Sequence, residues 1–346
     1  MLVDDSGVSR ALISRWLSNA GIKVCAQARN GEEALALLAS ARPALVLLDL
    51  EMPRMTGSEV LPRLLERLPG VPIVMVSTLT QRGARVTIDA LRVGAADAIA
   101  KPRAGWAGDT VETFRQELVQ KVSCLLASPV EDRVAEPHRL ANITAMAGFR
   151  PDLIVIGAST GGPSALFDLV PRFPSAPRIP IVIVQHMPPL FTRILAEQLT
   201  RIGPIPADEA VDGAPFAPGR IHVAPGNRHL EIARSKDGRY AARLTDAPPE
   251  QFCRPAVDVT LRTLASACGS KACAVILTGM GTDGRDGAGA VKAAGGRVIV
   301  QNRESATIWG MPGAVSKAGH ADAVLPLAGI GTAISDMTAA DIGMPR

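Results

Sequence analysis

One stretch, residues 152–170, reads DLIVIGASTGGPSALFDLV and constrains the chain more than any other. An apolar run over 153–156 stops at Gly157-Ala158-Ser159-Thr160-Gly161-Gly162, and an amphipathic segment follows at once. That order predicts strand, tight turn, helix. Gly157-x-Ser159-x-Gly161 fits the nucleophile-elbow pattern, in which small neighbours let a sharp turn hold a serine hydroxyl at the carboxyl end of a strand. The same letters fit a Gly-rich turn packing a helix on a sheet, or a phosphate cradle at a helix N-terminus. Short glycine motifs match by accident, so the rest of the chain has to decide.

A length of 346 residues favours two domains, each able to bury its own core. Apolar residues make up 47% of the chain but aromatics only 3%, so the cores must be built from Val, Leu, Ile and Ala. That composition suits parallel α/β sheets. No apolar run reaches the roughly 18 to 20 residues that span a bilayer, and no secretory signal opens the chain. A soluble, cytoplasmic protein is expected. The five cysteines are odd in number and contain no C-x-x-C, which points to buried thiols rather than a disulfide scaffold or zinc knuckle. The five histidines lack metal-helix spacing, and a structural metal is not expected. Net charge is +4, with 15 basic against 13 acidic residues in 1–122, three of each in 123–150, and 19 against 17 in 151–346. No basic block of the kind a nucleic-acid binder shows is present in the sequence.

The first part of the chain alternates strands (1–3, 22–28, 44–48, 72–76, 97–100) with helices (9–19, 31–40, 57–68, 81–93, 109–126). Five of each imply a doubly wound parallel sheet. In such a sheet the carboxyl ends of the strands converge on one crevice, and Asp4, Asp5, Asp49, Ser77 and Lys101 all occupy such ends. Carboxylates held together repel one another unless a cation sits among them, and an oxygen-only set favours magnesium. A lysine and a hydroxyl at the same rim suit a phosphoryl group transferred to a carboxylate.

VDDS, LLDLEMPRMTG, VST and AKP, in that order, resemble a response-regulator receiver domain of flavodoxin-like fold. The resemblance implies that Asp49 is the phosphoacceptor, that Asp4, Asp5 and Asp49 hold Mg2+, that Ser77 is the switch hydroxyl, and that Lys101 contacts the phosphoryl group. Receivers usually open on a longer strand than 1–3, so either the start lies upstream or the central strand is clipped and the receiver weakened.

Residues 128–150, with Pro129 and Pro137 and no sustained apolar periodicity, read as a linker between a domain at 1–127 and another at 151–346. The second domain continues with strands at 179–184, 220–224, 272–278 and 297–301, a hairpin pairing 229–233 with 240–244, and helices at 163–172, 190–200, 255–267, 288–294 and 311–318. The expectation is a mostly parallel α/β sheet plus a β-hairpin. Three of its strands run into Ser159, His186 and Asp283. A serine hydroxyl needs a base, and an imidazole needs a carboxylate to hold its tautomer. The order Ser, His, Asp differs from that of α/β-hydrolases, so the triad would be convergent. Asp286 and Asp258 are rival carboxylates.

GASTGGP, VIVQHMP, HVAPGNRHL, CRPAVDV and ILTGMGTDG, in that order, resemble the catalytic domain of the chemotaxis protein-glutamate methylesterases. The resemblance implies Ser159 as nucleophile, His186 as general base and then acid, Asp283 as the orienting carboxylate, and Thr160 with the Met280 N–H as oxyanion donors. It implies no cofactor in the catalytic domain. It also implies hydrolysis of glutamate methyl esters and deamidation of glutamines on methyl-accepting chemotaxis receptors, and a receiver that covers the cleft until a chemotaxis histidine kinase phosphorylates it. A monomer acting on membrane-bound receptors, without being a membrane protein itself, is expected. Two other readings compete. A DNA-binding response regulator is opposed by the charge distribution and by the lack of a terminal helix-turn-helix signal. A nucleotide-binding module is opposed by glycines at 157, 161 and 162 without a Walker lysine or a ribose-binding acid.

Overall fold

The computed structural model describes residues 1–78, 80–102, 109–127, 146, 148–175, 177–235 and 237–338. Two compact units share the chain, Met1–Arg133 and Val134–Arg346. The division falls within 128–150, and the linker expected there lies for most of its length outside the described residues.

In the first unit, β3 (Val46–Asp49) and β4 (Ile73–Ser77) are buried at every position. A strand covered on both faces has no solvent side, which is why these segments are apolar until their last residue. With β1 (Leu2–Val3), β2 (Gln27–Ala28) and β5 (Asp97–Ala100) they form a parallel sheet of order β2-β1-β3-β4-β5. Helices α1 (Gly7–Asn19), α2 (Gly31–Ala41), α3 (Gly57–Arg67), α4 (Gln81–Val93) and α5 (Asp109–Leu126) alternate with the strands. The order reverses between β1 and β3, so the crevice at their carboxyl ends is the topological switch point. Gly57 keeps the path out of β3 tight, since a Cβ there would lie 2.1 Å from the Asp49 carbonyl oxygen. The strand expected over 22–28 is limited to Gln27–Ala28, because β1 offers it only Leu2 and Val3 as partners.

The second unit is built on β6 (Leu153–Ala158), β7 (Ile181–Gln185) and β12 (Ala272–Ile276), all fully buried. Around them lie β8 (Ala207–Glu209), β9 (Ile221–Val223), β13 (Arg297–Gln301) and β14 (Ala323–Leu325). The sheet runs β14-β13-β12-β6-β7-β9-β8 with every adjacent pair parallel. A separate antiparallel hairpin pairs β10 (His229–Arg234) with β11 (Tyr240–Thr245). The apolar pattern does not reveal β8 or β14: each has three residues, and Ala207-Asp208-Glu209 is extended by its pairing with β9, not by its composition.

Helices α6 (Gly162–Leu169), α7 (Pro189–Ile202), α8 (Val257–Cys268), α9 (Arg285–Ala293), α10 (Met311–Lys317) and α11 (Leu327–Thr338) complete the unit. Val155, Val182, Ala274 and Val298 of the sheet share one core with Val257, Leu261 and Leu264 of α8 and Val291 of α9. Each Val or Leu buried there contributes about 1.5–3 kcal/mol. This packing lays the start of α8 over the end of β6, where a Cβ on Gly157 would lie 2.5 Å from Val257 Cγ1. Since β7 and β12 flank β6 on opposite sides, the carboxyl ends of all three share one crevice. No helix among the described residues is long and apolar enough to cross a membrane.

Candidate active site

The chain turns immediately after β6. Ser159 N–H donates to the Thr278 carbonyl (3.0 Å), and the Ser159 carbonyl accepts from Gly162 N–H (2.7 Å) and Gln185 Nε2 (3.0 Å). Gly161 follows with φ 76°, in the left-handed region, and a Cβ on it would lie 2.4 Å from Thr307 Oγ1. Glycine is therefore required twice over, by conformation and by space. Gly161→Ala is expected to destabilise the protein by about 1–3 kcal/mol, read as a lower urea midpoint; an unchanged midpoint would show that the turn tolerates a side chain.

His186 extends the β6–β7 ladder by one bond, its N–H donating to the Ala158 carbonyl at 3.1 Å. That bond keeps its ring at the same sheet edge as Ser159. Nε2 lies 2.7 Å from Asp283 Oδ2, and Nδ1 lies 3.5 Å from Cys253 Sγ. Asp283, in the loop between β12 and α9, is only 2% exposed. What holds its charge there is the start of α8: Val257 N–H donates to Oδ2 (2.7 Å) and Asp258 N–H to Oδ1 (2.8 Å). A helix N-terminus favours an anion in this position. Burial works against the Asp283 carboxylate, but His186 and the two N–H groups outweigh it and lower its pKa. Burial likewise pulls His186 down, while its bonds to Asp283 and Cys253 outweigh that and raise it to about 10.

The rival carboxylates lie elsewhere. Asp286 is exposed and paired with Arg285 at 2.7 Å. Asp258 is buried, accepting from Gly287 N–H (2.7 Å) and Gln251 Nε2 (2.8 Å), and burial with the charges of Asp283 and Asp286 pushes it up to about 6. Among the described residues, Asp283 is the carboxylate bonded to His186. Thr160 Oγ1 is buried without a partner, and the Met280 N–H makes no backbone hydrogen bond among the described residues. Met280 follows Gly279, whose added Cβ would lie 2.9 Å from Ser159 Cβ. Uncommitted donors close to a serine are what a developing oxyanion requires. Ser159 Oγ and His186 share no hydrogen bond among the described residues; such bonds often tighten only when substrate arrives.

In the first unit, Lys101 Nζ bridges Asp49 Oδ2 (2.6 Å) and Asp4 Oδ2 (2.9 Å) at the switch point. One oxygen each from Asp4, Asp5 and Asp49 falls within 4.8 Å of the others. Burial pushes Asp49 up to about 6; Lys101 opposes the rise, and Asp4 and Asp5 add to it. A crowded, all-oxygen set of this kind fits a magnesium ion. Ser77 is buried, and its hydroxyl accepts from Thr87 Oγ1 of α4 at 2.8 Å rather than bonding Asp49.

A family model described as CheB methylesterase matches residues 154–334, and one described as response regulator receiver domain matches residues 1–105. The chain belongs to the CheB methylesterase family. A protein-glutamate methylesterase/protein-glutamine glutaminase of Maricaulis maris is 39% identical to it over 378 residues, covering 96% of this chain and 94% of that one. Protein-glutamate methylesterase/protein-glutamine glutaminase 2 of Caulobacter vibrioides is 42% identical over 338 residues, 97% of either chain. The crystal structure of the Thermotoga maritima CheB methylesterase catalytic domain is 42% identical, with a TM-score of 0.53, and covers 54% of this chain and 98% of that one. These relatives carry the name of a hydrolase, and this CheB methylesterase family chain joins such a domain to a receiver.

The residues that sequence reasoning passes over in this family member are those that act through the backbone or from irregular loops. Thr278 Oγ1 donates to the Thr160 carbonyl and accepts from Ile308 N–H, both at 2.9 Å, bracing the turn from behind. Gln185 braces it from β7. Cys253 has no periodic pattern to announce it, and the helix expected over 255–267 does not by itself say what its first N–H groups face. The one available signal is CRPAVDV itself, a segment matched as a motif without a role for its cysteine.

Proposed function

We propose that this chain hydrolyses glutamate methyl esters, and deamidates glutamines, on methyl-accepting chemotaxis receptors, with its receiver setting the rate. The observation that carries the reading is Asp283, held by two N–H groups of α8 and bonded to His186 Nε2 at the sheet edge where Ser159 follows β6. A neutral imidazole with its Nε2–H on Asp283 leaves the Nδ1 lone pair as the base. Ser159 Oγ attacks the ester carbonyl while Nδ1 takes its proton, and the oxyanion meets the Thr160 hydroxyl and the Met280 N–H. The imidazolium then protonates the departing methoxide, releasing methanol, and the neutral imidazole so restored serves as base for the water that frees the glutamate. The same steps on a side-chain amide release ammonia and leave the same glutamate.

Asp4, Asp5 and Asp49 would hold the magnesium ion, whose charge neutralises an incoming phosphoryl group. Asp49 accepts that group from a chemotaxis histidine kinase, Lys101 pairs with its oxygens, and Ser77 exchanges Thr87 for one of them. The resulting shift in domain arrangement populations raises the hydrolytic rate and so serves adaptation. Methanol release from methylated receptor membranes tests both parts. A small-molecule phosphodonor with magnesium is expected to stimulate the wild type and to leave Asp49→Asn unstimulated. Equal stimulation of the variant would refute the receiver's role, and no methanol from the wild type under any condition would refute the activity.

A further inference from the structure

Hydrolysis as proposed uses the Nδ1 edge of His186, and that edge also faces a thiol the reaction does not need. Cys253 Sγ lies 3.5 Å from His186 Nδ1 and 3.5 Å from the Gln251 carbonyl oxygen. Its position is built. Gln251 and Phe252 have left-handed backbones, φ 49° and 65°, in a turn closed by Glu250 N–H donating to the Cys253 carbonyl (3.1 Å) and Cys253 N–H to the Glu250 carbonyl (2.8 Å). The Gln251 side chain pins that turn from below, donating to Asp258 (2.8 Å) and accepting from Thr282 (2.6 Å).

The spacing has a chemical meaning. A tetrahedral zinc ion bound about 2.3 Å from sulfur and about 2.0–2.1 Å from nitrogen needs those two donors about 3.5 Å apart. The far nitrogen of His186 already rests on Asp283 at 2.7 Å, the outer arrangement that orients a metal-bound imidazole. Asp283 is fixed in turn by Val257 and Asp258. Ligand atoms of His186, Cys253 and Asp283 all fall within 4.8 Å of one another.

We propose that His186 Nδ1 and Cys253 Sγ form a site for a thiophilic divalent cation, zinc foremost, and that its occupancy shuts off hydrolysis. The sulfur selects zinc over magnesium, whereas the oxygen-only cluster of the receiver has the opposite preference. On coordination the thiol proton leaves to solvent and the Nδ1 lone pair is taken up, so Ser159 loses its base. Water completes the coordination sphere. The inhibition rests on the function proposed above; the binding does not.

The test is a titration of the full chain with Zn2+ and, separately, Co2+, in excess Mg2+ to occupy the carboxylate cluster. Wild type, Cys253→Ala, Cys253→Ser and Asp283→Asn are compared, the serine variant covering the case in which the alanine variant does not fold. Wild type is expected to show a sulfur-to-cobalt charge-transfer band that both cysteine variants lack. Zinc affinity should fall at least about tenfold in the cysteine variants and about 10–100-fold in Asp283→Asn. Zinc should stop methanol release by wild type, and a chelator should restore it. A band that is absent from wild type, or that persists in both cysteine variants, overturns the site. A zinc-saturated wild type that still releases methanol at its metal-free rate overturns the inhibition. A wild type inactive without zinc even with magnesium and a phosphodonor present overturns the hydrolytic reading instead, while the spectra and affinities still decide the site.

Discussion

Ser159→Ala is expected to lower methanol release from methylated receptors by about 10⁴- to 10⁶-fold, leaving only what oxyanion donors and substrate binding provide. The loss would be chemical rather than structural. The hydrogen bonds that Ser159 makes in the turn use its backbone: its N–H to Thr278 and its carbonyl from Gly162 and Gln185. Removing the hydroxyl leaves all three in place, so the thermal midpoint should stay near that of wild type. Single-turnover assays on methylated receptor membranes read the rate, and a variant retaining more than about a hundredth of it would remove Ser159 from the mechanism. Cys253 gives that outcome a specific alternative. Its thiol already faces His186 Nδ1, so an active Ser159→Ala together with an inactive Cys253→Ala would make the thiol the nucleophile.

Asp283→Asn is expected to cost about 10⁴-fold, as amide replacement of a triad carboxylate does elsewhere. The reason here lies in what surrounds the carboxylate. Oδ2 receives both Val257 N–H and His186 Nε2, and Oδ1 receives Asp258 N–H. An amide nitrogen in the Oδ2 position meets a backbone donor and forces the proton of His186 onto Nδ1, where the base is needed. In the Oδ1 position it meets the other backbone donor. Neither orientation preserves the arrangement. The pH profile gives a second readout. Hydrolysis needs the neutral imidazole, so in wild type kcat/KM should rise with pH through a value above the ordinary 6.5, because Asp283 and Cys253 favour the imidazolium. Removing the Asp283 charge should move that limb toward lower pH. A limb that stays put in the variant would mean that His186 does not titrate against Asp283.

Much of this arrangement is legible before folding. The apolar runs ending at Asp49, Ser77, Ser159 and His186 are strands covered on both faces, and a parallel α/β sheet must bring such ends to one edge. Burial of the runs therefore commits the polar residues after them. The choice among Asp258, Asp283 and Asp286 is different, because all three lie in or just before the first turn of a helix, where no local pattern separates them. It is made by the path of α8, whose apolar face packs on the sheet and leaves its first two N–H groups aimed at Asp283.

The same distinction separates the other residues. The sequence by itself determined the two α/β units, the order of their strand-end residues and the glycines of the turn, because these follow from local periodicity and from backbone space. Only the tertiary structure decided that Ser77 bonds Thr87, that Cys253 faces His186, and that β2 shrinks while β8 and β14 exist. Those outcomes depend on rotamers, on loop paths without periodicity, and on the length of a pairing strand. Each is set by a neighbour distant in the chain, and no local pattern carries that information.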